Sequence, residues 1–392
     1  MGDSMSHRAP VAALGVVIGL LAAGPLAASP VAVAPTAAGT AAAAPGRQDP
    51  AWRVDTLPAL QSSSRLVDVT ATGPADAWAV GYQGSNYGGP RPERPYALLR
   101  WNGVDWSEQE LPDNVSQLTG VSAATSTDVW TVGATARLSP YAAHFDGTGW
   151  QSFRPFGSDQ SVGLNDVAAR GGRAVLVGGD TGRALVMEWN GRQLAEVVVP
   201  GSDAWTGQLY GVTTAPGGAT FAVGGWNVDG AAYPEPLIVQ RSGSVWQVAT
   251  LPKIPTARLS GVWARTATDA WAVGTIDFDS APKPLVLHYD GVSWQRVTVP
   301  VAAGTLAAVA GDAAGNLWIS GGNPVPPNIR YPGSLFLRYA RGTWSTTYGP
   351  KVNDADPYLS ALTKIPGSTA FWGVGAAHDP TAETRALIER VG

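Results

Sequence analysis

The sequence contains no cysteine. This absence excludes disulfides, thiolate metal sites, a cysteine nucleophile and a lipid-modified cysteine near the N-terminus. Charged residues make up only 14% of the chain, the formal net charge is -4, and there is no run rich in lysine and arginine. A chain without a basic patch lacks the electrostatic surface that nucleic acid or an anionic membrane attracts. Nucleic acid is therefore not an expected partner.

Long apolar runs are absent beyond the N-terminus. There, Arg8 precedes an apolar stretch at residues 11–28, and small residues follow at Ala32 and Ala34. This order is typical of a secretory signal peptide rather than of a retained membrane anchor. The sequence thus predicts a signal peptide at 1–30, an Ala/Pro-rich disordered linker at 31–48 and a folded domain at 49–392. We expect a secreted, extracellular protein without stable membrane insertion.

Glycine, proline and tryptophan are abundant, and one short phrase recurs along the chain. Such a composition favours short strands joined by tight turns. Repetition at a period of about 45–50 residues indicates a repeat architecture rather than one catalytic site. The seven copies are DAWAVG (76–81), DVWTVG (128–133), RAVLVG (173–178), ATFAVG (219–224), DAWAVG (269–274), NLWISG (316–321) and AFWGVG (370–375).

Each copy has three companions in a fixed order. A run such as RLSGVWA (258–264) precedes it, and PLVLHYDG (284–291) and WQRVTVP (294–300) follow. All are short, rich in β-branched or aromatic residues and bounded by turn formers, so each is predicted to be a strand. Seven units of four strands, here called a to d, predict an all-β, seven-bladed β-propeller.

The two ends of the chain support a closed ring. The seventh unit stops at RALIERVG (385–392), which supplies strand c but no strand d. The missing strand is predicted at the other terminus, where WRVDTLP (52–58) matches WQVATLP (246–252) of an internal unit. We therefore expect an N-terminal strand to complete the last blade.

The run LVLHYDGVSWQRVTVP (285–300) resembles the repeats of kelch-type and related bacterial propellers, whose units carry an aromatic–Asp pair, a nearby tryptophan and a glycine-ended strand. The glycine doublets 178–179, 224–225 and 321–322 are similar to the kelch doublet, and the turns DGVSW and DGTGW look like the Asp-boxes of sialidase-like propellers. The resemblance covers residues 52–392 and implies a fold rather than a function. A copper radical oxidase of the galactose-oxidase type would need a cysteine, which this chain lacks.

Residues that recur from blade to blade are interpreted as structural. Most tryptophans occupy repeat positions, and Asp76, Asp128 and Asp269 precede strand b, where an Asx side chain can cap the turn. His144 and His288 fill one repeat position, which holds Glu389 in the last unit by the same alignment. We expect these two histidines not to share a ligand.

Function is expected where the repeat is broken. Successive antiparallel strands alternate direction, so the b–c and d–a connections emerge on one face of the ring. The b–c loops differ in length and content, and loops on a rigid scaffold commonly carry binding residues. The candidate ligand-binding residues on this loop-rich face are Trp205, Trp226, Tyr87, Tyr233, Phe278, Tyr331, Asp229, Asp277 and Asp279.

Exposed aromatic rings beside amides and carboxylates can stack on a sugar or on an extended peptide. The sequence therefore favours a non-catalytic binding or scaffold protein, acting as a monomer, whose ligand is a glycan or a protein. The alternative is an extracellular carbohydrate-active hydrolase or lyase that uses the acidic loop residues. No catalytic residue, metal site or cofactor is assigned.

Overall fold

The computed structural model describes residues 50–84, 94–156, 161–201, 206–227, 234–277, 281–323, 333–353, 355–379 and 383–392. Within these residues, 28 strands form seven four-stranded antiparallel sheets arranged as a β-propeller, which confirms the predicted fold. No helix occurs in the described ranges. Accordingly, the same ranges contain no helical segment of the length and apolar character needed to cross a bilayer.

Each blade contains four strands in the order a, b, c, d from the channel outward. Blade 1 contains β2 (Arg65–Gly73), β3 (Asp76–Tyr82), β4 (Tyr96–Trp101) and β5 (Trp106–Glu108); blade 2 contains β6 (Val115–Thr125), β7 (Asp128–Thr135), β8 (Pro140–Phe145) and β9 (Trp150–Phe153). Blade 3 contains β10 (Val162–Arg170), β11 (Arg173–Asp180), β12 (Arg183–Trp189) and β13 (Leu194–Val197). Blade 4 contains β14 (Thr206–Thr214), β15 (Thr220–Asn227), β16 (Glu235–Ser242) and β17 (Val245–Val248).

The remaining blades follow the same order. Blade 5 contains β18 (Ala257–Thr266), β19 (Asp269–Ile276), β20 (Lys283–Tyr289) and β21 (Trp294–Arg296). Blade 6 contains β22 (Thr305–Gly311), β23 (Leu317–Gly322), β24 (Leu335–Ala340) and β25 (Thr343–Tyr348). Blade 7 contains β26 (Asp356–Lys364), β27 (Phe371–His378), β28 (Arg385–Val391) and, from the N-terminus, β1 (Arg53–Val54).

The ring closes as the sequence predicts, because β1 pairs antiparallel with β28. The strand itself is only two residues long, so side-chain packing beside it contributes much of the closure. Trp52 is 5% exposed and stacks on Phe336 of blade 6, with ring centroids 3.9 Å apart. Its edge meets Trp318 at 5.4 Å. Trp52 thus fills part of the interface between blades 6 and 7.

The final glycine of the repeated phrase has a common structural cause. In each blade, strand a contains a β-bulge near its start, as between Leu259 and Gly261 in blade 5. The glycine of strand b lies opposite this point, and a Cβ on Gly274 would be 2.0 Å from the Arg258 carbonyl oxygen. The equivalent distance is 2.2 Å or less for Gly81, Gly133, Gly178, Gly224, Gly321 and Gly375. The bulge bends strand a and shapes the channel wall.

A second repeated contact joins strands b and c. The guanidinium of Arg100 lies 4.8 Å from the Trp78 ring centroid and forms an ion pair with Asp76 at 3.1 Å. His144 stacks on Trp130 and contacts Asp128 at 2.9 Å, and blade 5 repeats this with His288, Trp271 and Asp269. The aspartates therefore bind strand-c side chains, beyond the turn-capping role expected from sequence. Since arginine makes the same contact in blade 1, the histidines have a structural role.

Blade 7 corrects the sequence alignment at this position. The residue opposite Trp372 is Arg390, whose guanidinium lies 5.1 Å from the ring centroid, and not Glu389. Glu389 instead points to the opposite side of the sheet and is fully buried. Its Oε1 accepts a hydrogen bond from the Ser334 hydroxyl at 2.8 Å, and no hydrogen-bond partner for Oε2 lies among the described residues. Burial raises the pKa of Glu389 to about 7.

This buried carboxyl predicts a pH dependence of stability. Because the pKa of Glu389 is about 7 in the folded chain and 4.5 for an unperturbed glutamate, the folded state binds its proton more tightly. Its contribution to stability is complete below about pH 4.5 and is lost as the pH rises to about 7. For Glu389→Gln we expect a melting temperature a few degrees above the wild type at pH 8, and no difference near pH 5, as measured by differential scanning calorimetry.

Glu196→Gln is the control, since the Glu196 carboxylate is exposed to solvent and pairs with Arg183. That variant should follow the wild-type pH profile. If Glu389→Gln and the wild type keep a constant separation from pH 5 to pH 8, the titration assigned to Glu389 is wrong.

Candidate functional site

The structure describes two of the nine candidate ligand-binding residues. Trp226 lies on β15 and packs, half-buried, against the core between blades 3 and 4. Successive residues of a strand face opposite sides of the sheet, so its neighbours Gly225 and Asn227 lie on the other side, where both line a cavity. Trp205, Tyr87, Tyr233, Phe278, Tyr331, Asp229 and Asp279 lie outside the described residues.

Asp277 fixes the base of the b–c loop of blade 5. Its carboxylate accepts hydrogen bonds from Lys283 Nζ at 2.8 Å and from the Thr256 hydroxyl at 2.6 Å. Its backbone N–H donates to the Thr256 carbonyl oxygen, and its φ is +54°. The hydrogen bond from Lys283 lowers the pKa of Asp277 below its usual range. The described contacts of this carboxylate are therefore those of a loop anchor.

The tryptophan at position 263, which sequence comparison places outside the repeat, contacts the neighbouring blade. It occupies the strand-a position held by Thr70 in blade 1 and Ser122 in blade 2, whose hydroxyls accept backbone N–H bonds from the next blade. The Trp263 ring likewise extends to the next blade, blade 6. A Cβ added to Gly311 of that blade would be 2.6 Å from the ring. Gly311 thus makes room for the ring, and Trp263 serves the blade interface.

The loop-rich face carries a groove across blades 2 to 5, formed by two adjoining cavities of about 390 and 340 Å³. The cavities share Gly182, Gly207 and Gln208. We call this feature the amide groove because side-chain amides recur along it. Its defining residues are Gln117, Leu138, Pro140, Gly163, Asn165, Gly179, Gly182, Gly207, Gln208, Tyr210, Gly225, Asn227 and Arg258.

Glycines without side chains line the bottom of the amide groove. A Cβ on Gly179 would be 3.2 Å from Cγ of Gln208, and one on Gly225 would be 3.3 Å from Cβ of Arg258. These glycines are the second members of two doublets noted in the sequence. A Cβ on Gly163 would meet no atom within 4 Å, so a bound chain can approach the backbone at that position. At the two doublet glycines, the missing side chain instead lets Gln208 and Arg258 of the next blade come close. The sequence signal for the groove was thus the doublet itself.

Polar groups along the groove are neutral except at one end. Asn165 Nδ2 donates to the Leu209 carbonyl oxygen at 2.7 Å, which fixes the side chain, while Gln117 is exposed. Arg258 is exposed at the blade 5 end, with its guanidinium 5.9 Å from the Tyr210 ring centroid. No carboxylate occurs among the described lining residues. At the blade 2 end, Leu138 is 59% exposed.

The central channel contains two aspartates that sequence reasoning missed. It has a volume of about 330 Å³ and is lined by strand-a residues of all seven blades. Asp68 accepts backbone N–H bonds from Val69 and from Val121 of the next blade at 2.8 and 2.7 Å. Asp166 makes the equivalent bonds to Val167 and Val212 at 2.7 and 2.8 Å.

These two carboxyl groups connect neighbouring blades. Burial raises the pKa of Asp68, and burial together with the charge of Asp68 raises the pKa of Asp166. Each carboxylate oxygen accepts one backbone N–H, and one of the two N–H groups on each aspartate comes from the next blade, so these carboxyl groups hold neighbouring strands a together. The sequence does distinguish these two residues, because this strand-a position holds glycine or alanine in the other five units.

The described residues contain no group of three or more histidine or acidic side chains that could hold a metal ion. No protein-family model matches the sequence, and no curated protein is similar to it by sequence. Solved structures match its fold. A structure described as YCF48 bound to D1 peptide has a TM-score of 0.56, with 15% identity, 88% of this chain and 99% of that chain covered.

Two further solved structures are similar in fold. U3-55K gives a TM-score of 0.56 with 10% identity, over 87% of this chain and 99% of that chain. The tricorn protease gives 0.51 with 11% identity, over 86% of this chain and 36% of that chain. At these identities the similarity establishes the β-propeller fold, and the function has to be argued from the site.

Proposed function

We propose that this protein is a secreted, non-catalytic β-propeller that binds an extended polypeptide segment of a protein ligand in the amide groove. Its secretion rests on the signal-peptide pattern of residues 1–30. We further propose that it acts as a monomer. Its assignment to kelch-like or Asp-box-related propellers stays a prediction from the sequence motifs.

The observation that carries this proposal is the pairing of a glycine floor with side-chain amides. An extended peptide presents alternating N–H and C=O groups, and an amide side chain can donate to one and accept from the other. Gln117, Asn165, Gln208 and Asn227 supply such groups from three successive blades. A floor of glycines lets the ligand backbone come within hydrogen-bonding distance of the propeller. Recognition of this kind depends on main chain rather than on one side chain.

The similarity to YCF48 supports a peptide ligand, because that propeller was solved with D1 peptide bound. The support concerns the class of ligand only. For this chain, the groove itself supplies the argument for where a peptide would lie.

The other ligand and reaction classes have less support in the described residues. A glycan would need exposed rings, and the described candidate ring, Trp226, packs against the core. A glycosidase needs two carboxyl groups free to transfer protons. Asp277 is held by Lys283 and Thr256, and Asp68 and Asp166 are held by backbone amides.

The proposal predicts a loss of peptide affinity when groove amides are removed. A peptide selected from a display library of unstructured sequences against residues 49–392 should bind the Gln117→Ala/Gln208→Ala double variant about 30-fold more weakly, because two hydrogen bonds of about 1 kcal/mol each are lost. Isothermal titration calorimetry would measure the two dissociation constants.

Gln295→Ala is the matched control. Gln295 is an exposed amide on β21 whose side chain bonds Asp290 and Ser293 near the c–d turn, on the opposite face. The control should keep wild-type affinity. Equal affinity of the groove variant and the wild type would contradict the proposal, as would selection of glycans but no peptide in a parallel polysaccharide screen.

A further inference from the structure

The two ends of the amide groove differ in chemistry. Arg258, at the blade 5 end, is the only charged residue among the described residues that line the groove. Leu138, at the blade 2 end, is an exposed apolar residue. The described lining residues between these two ends are neutral. A ligand that contacts both ends therefore has to be asymmetric as well.

Arg258 is accessible to a ligand in the groove. It is the second residue of β18, is exposed to solvent and lines the cavity of about 340 Å³. Its guanidinium lies 5.9 Å from the ring centroid of Tyr210, which lines the same cavity. A guanidinium carries five N–H groups in one plane, so contact with a ring through its face does not use them. Arg258 thus brings positive charge and planar donors to the blade 5 end.

The described charges around this end favour an anionic group of the ligand. No carboxylate occurs among the described lining residues of either cavity, so an anionic group would meet no like charge there. At the base of the b–c loop of blade 5, Asp277 is paired with Lys283 at 2.8 Å. The whole chain has a formal net charge of -4, so the attraction of an anion to Arg258 is local.

The b–c turn of blade 2 holds Leu138 at the other end of the groove. The backbone N–H of Leu138 donates to the Thr135 carbonyl oxygen at 2.8 Å, and its φ of +63° lies in the left-handed region. Leucine is unfavourable in that region, which asparagine and glycine adopt more easily. Backbone strain of this kind points to a function of the residue. Together with Pro140, the exposed leucine offers apolar surface to one side chain of a ligand.

We propose, as an extension that rests on the proposed function, that the peptide ligand carries a carboxylate that binds Arg258 and an apolar side chain that packs on Leu138. The carboxylate belongs to an aspartate or glutamate side chain or to the C-terminus, since a guanidinium binds either with two parallel hydrogen bonds. The amides between the two ends bind the main chain of the peptide. The carboxylate and the apolar side chain then fix the direction in which the peptide lies.

Two random peptide libraries, one with free and one with blocked C-termini, test the chemistry of the ligand. Both are selected against residues 49–392, which form one compact unit, and against its Arg258→Gln variant. If the carboxylate is a side chain, both libraries should yield peptides with an acidic residue at one fixed position. If it is the C-terminus, only the library with free C-termini should yield binders. In both cases an apolar residue should recur several positions away, and selection against Arg258→Gln should yield no preference for a carboxylate.

Isothermal titration calorimetry with one selected peptide then measures the charged contact. Exchange of the peptide's carboxylate for the corresponding amide should weaken binding to the wild type about tenfold, because a hydrogen bond between charged groups is lost. The same exchange should change little in Arg258→Gln. Arg258→Lys should keep part of the affinity, since it keeps the charge but not the planar fork. Added salt should weaken binding of the acidic peptide to the wild type, because the ion pair is exposed.

Arg65→Gln is the matched control for Arg258. Both arginines precede the buried leucine of a strand a, and the guanidinium of Arg65 lies 4.7 Å from the Tyr358 ring centroid, but Arg65 does not line the groove. Arg65→Gln should keep wild-type affinity. Leu138→Asn tests the apolar end, and its affinity should fall a few-fold while the fold is kept, since asparagine tolerates a left-handed backbone. Near-UV circular dichroism would show that each variant keeps its packed core.

Equal binding of the acidic peptide and its amide counterpart to the wild type would overturn the assignment of Arg258. Equal losses in Arg258→Gln and Arg65→Gln would do the same, and wild-type affinity in Leu138→Asn would overturn the apolar end. If selected peptides lose affinity for Gln117→Ala/Gln208→Ala but show no preference for a carboxylate, the proposed function stands and the asymmetric ligand is wrong. If neither library yields a peptide that binds, both are wrong.

Discussion

Replacing Gly274 by alanine is expected to lower the free energy of unfolding by about 4 kcal/mol. The added Cβ would be 2.0 Å from the Arg258 carbonyl oxygen and 2.7 Å from the Leu259 Cα, and both atoms belong to backbone. No side-chain rotation can relieve this clash, so strands a and b of blade 5 must separate at the bulge. Urea denaturation followed by tryptophan fluorescence would measure the loss.

Gly149→Ala provides the matched control for this prediction. A Cβ at Gly149 meets no atom within 4 Å, and the residue lies in the exposed c–d turn of blade 2. We expect a change of less than about 0.5 kcal/mol there. If both variants unfold at the same urea concentration, the close approach of strands a and b does not explain the recurring glycine.

Truncating Trp52 to alanine is expected to cost about 4 kcal/mol, the usual range for a buried tryptophan. The side chain stacks on Phe336 and meets Trp318, so its loss opens a void between blades 6 and 7. Because β1 pairs with β28 over only two residues, Trp52 supplies much of what holds the ring closed. The melting temperature, measured by calorimetry, should fall by several degrees.

Val54→Ala separates this effect from a general effect on the strand. Val54 pairs with Glu389 in the same two-residue strand but is 45% exposed, so its truncation removes little buried area. The melting temperature should then change by about a degree or less. Equal losses for Trp52→Ala and Val54→Ala would show that strand pairing, rather than the tryptophan, closes the ring.

The fold could be predicted from sequence because the blades repeat the same local sequence features and contacts. The strand-b glycine occurs in all seven blades, the contact of a strand-c arginine or histidine with a strand-b tryptophan in five, and an Asx residue at the c–d turn in four. For example, Asn102 and Asp290 accept backbone N–H groups in the c–d turns of blades 1 and 5. The N-terminal strand could also be predicted, since Trp52 occupies a strand-d position that five of the other six blades fill with tryptophan.

The candidate site was less predictable because it depends on what neighbouring blades bring together. Gly179 and Gln208 are 29 residues apart in number, and only blade packing places a Cβ-free position beneath the glutamine. Sequence reasoning looked for rings and carboxylates in the variable loops. The groove instead consists of amides and glycines at the ends of the strands. In the sequence, these residues resemble the other residues of the repeat.

The most direct test of the account is to ask whether one peptide spans the amide groove. A photoreactive residue would be placed at Leu138, at the blade 2 end, or at Arg258, at the blade 5 end, with Gln295 on the opposite face as the control. For a peptide selected against residues 49–392, we predict crosslinks from 138 and from 258 to positions several residues apart in the peptide, and none from 295. Crosslinks from both ends to one peptide residue, or equal crosslinking from position 295, would contradict an extended chain in the groove.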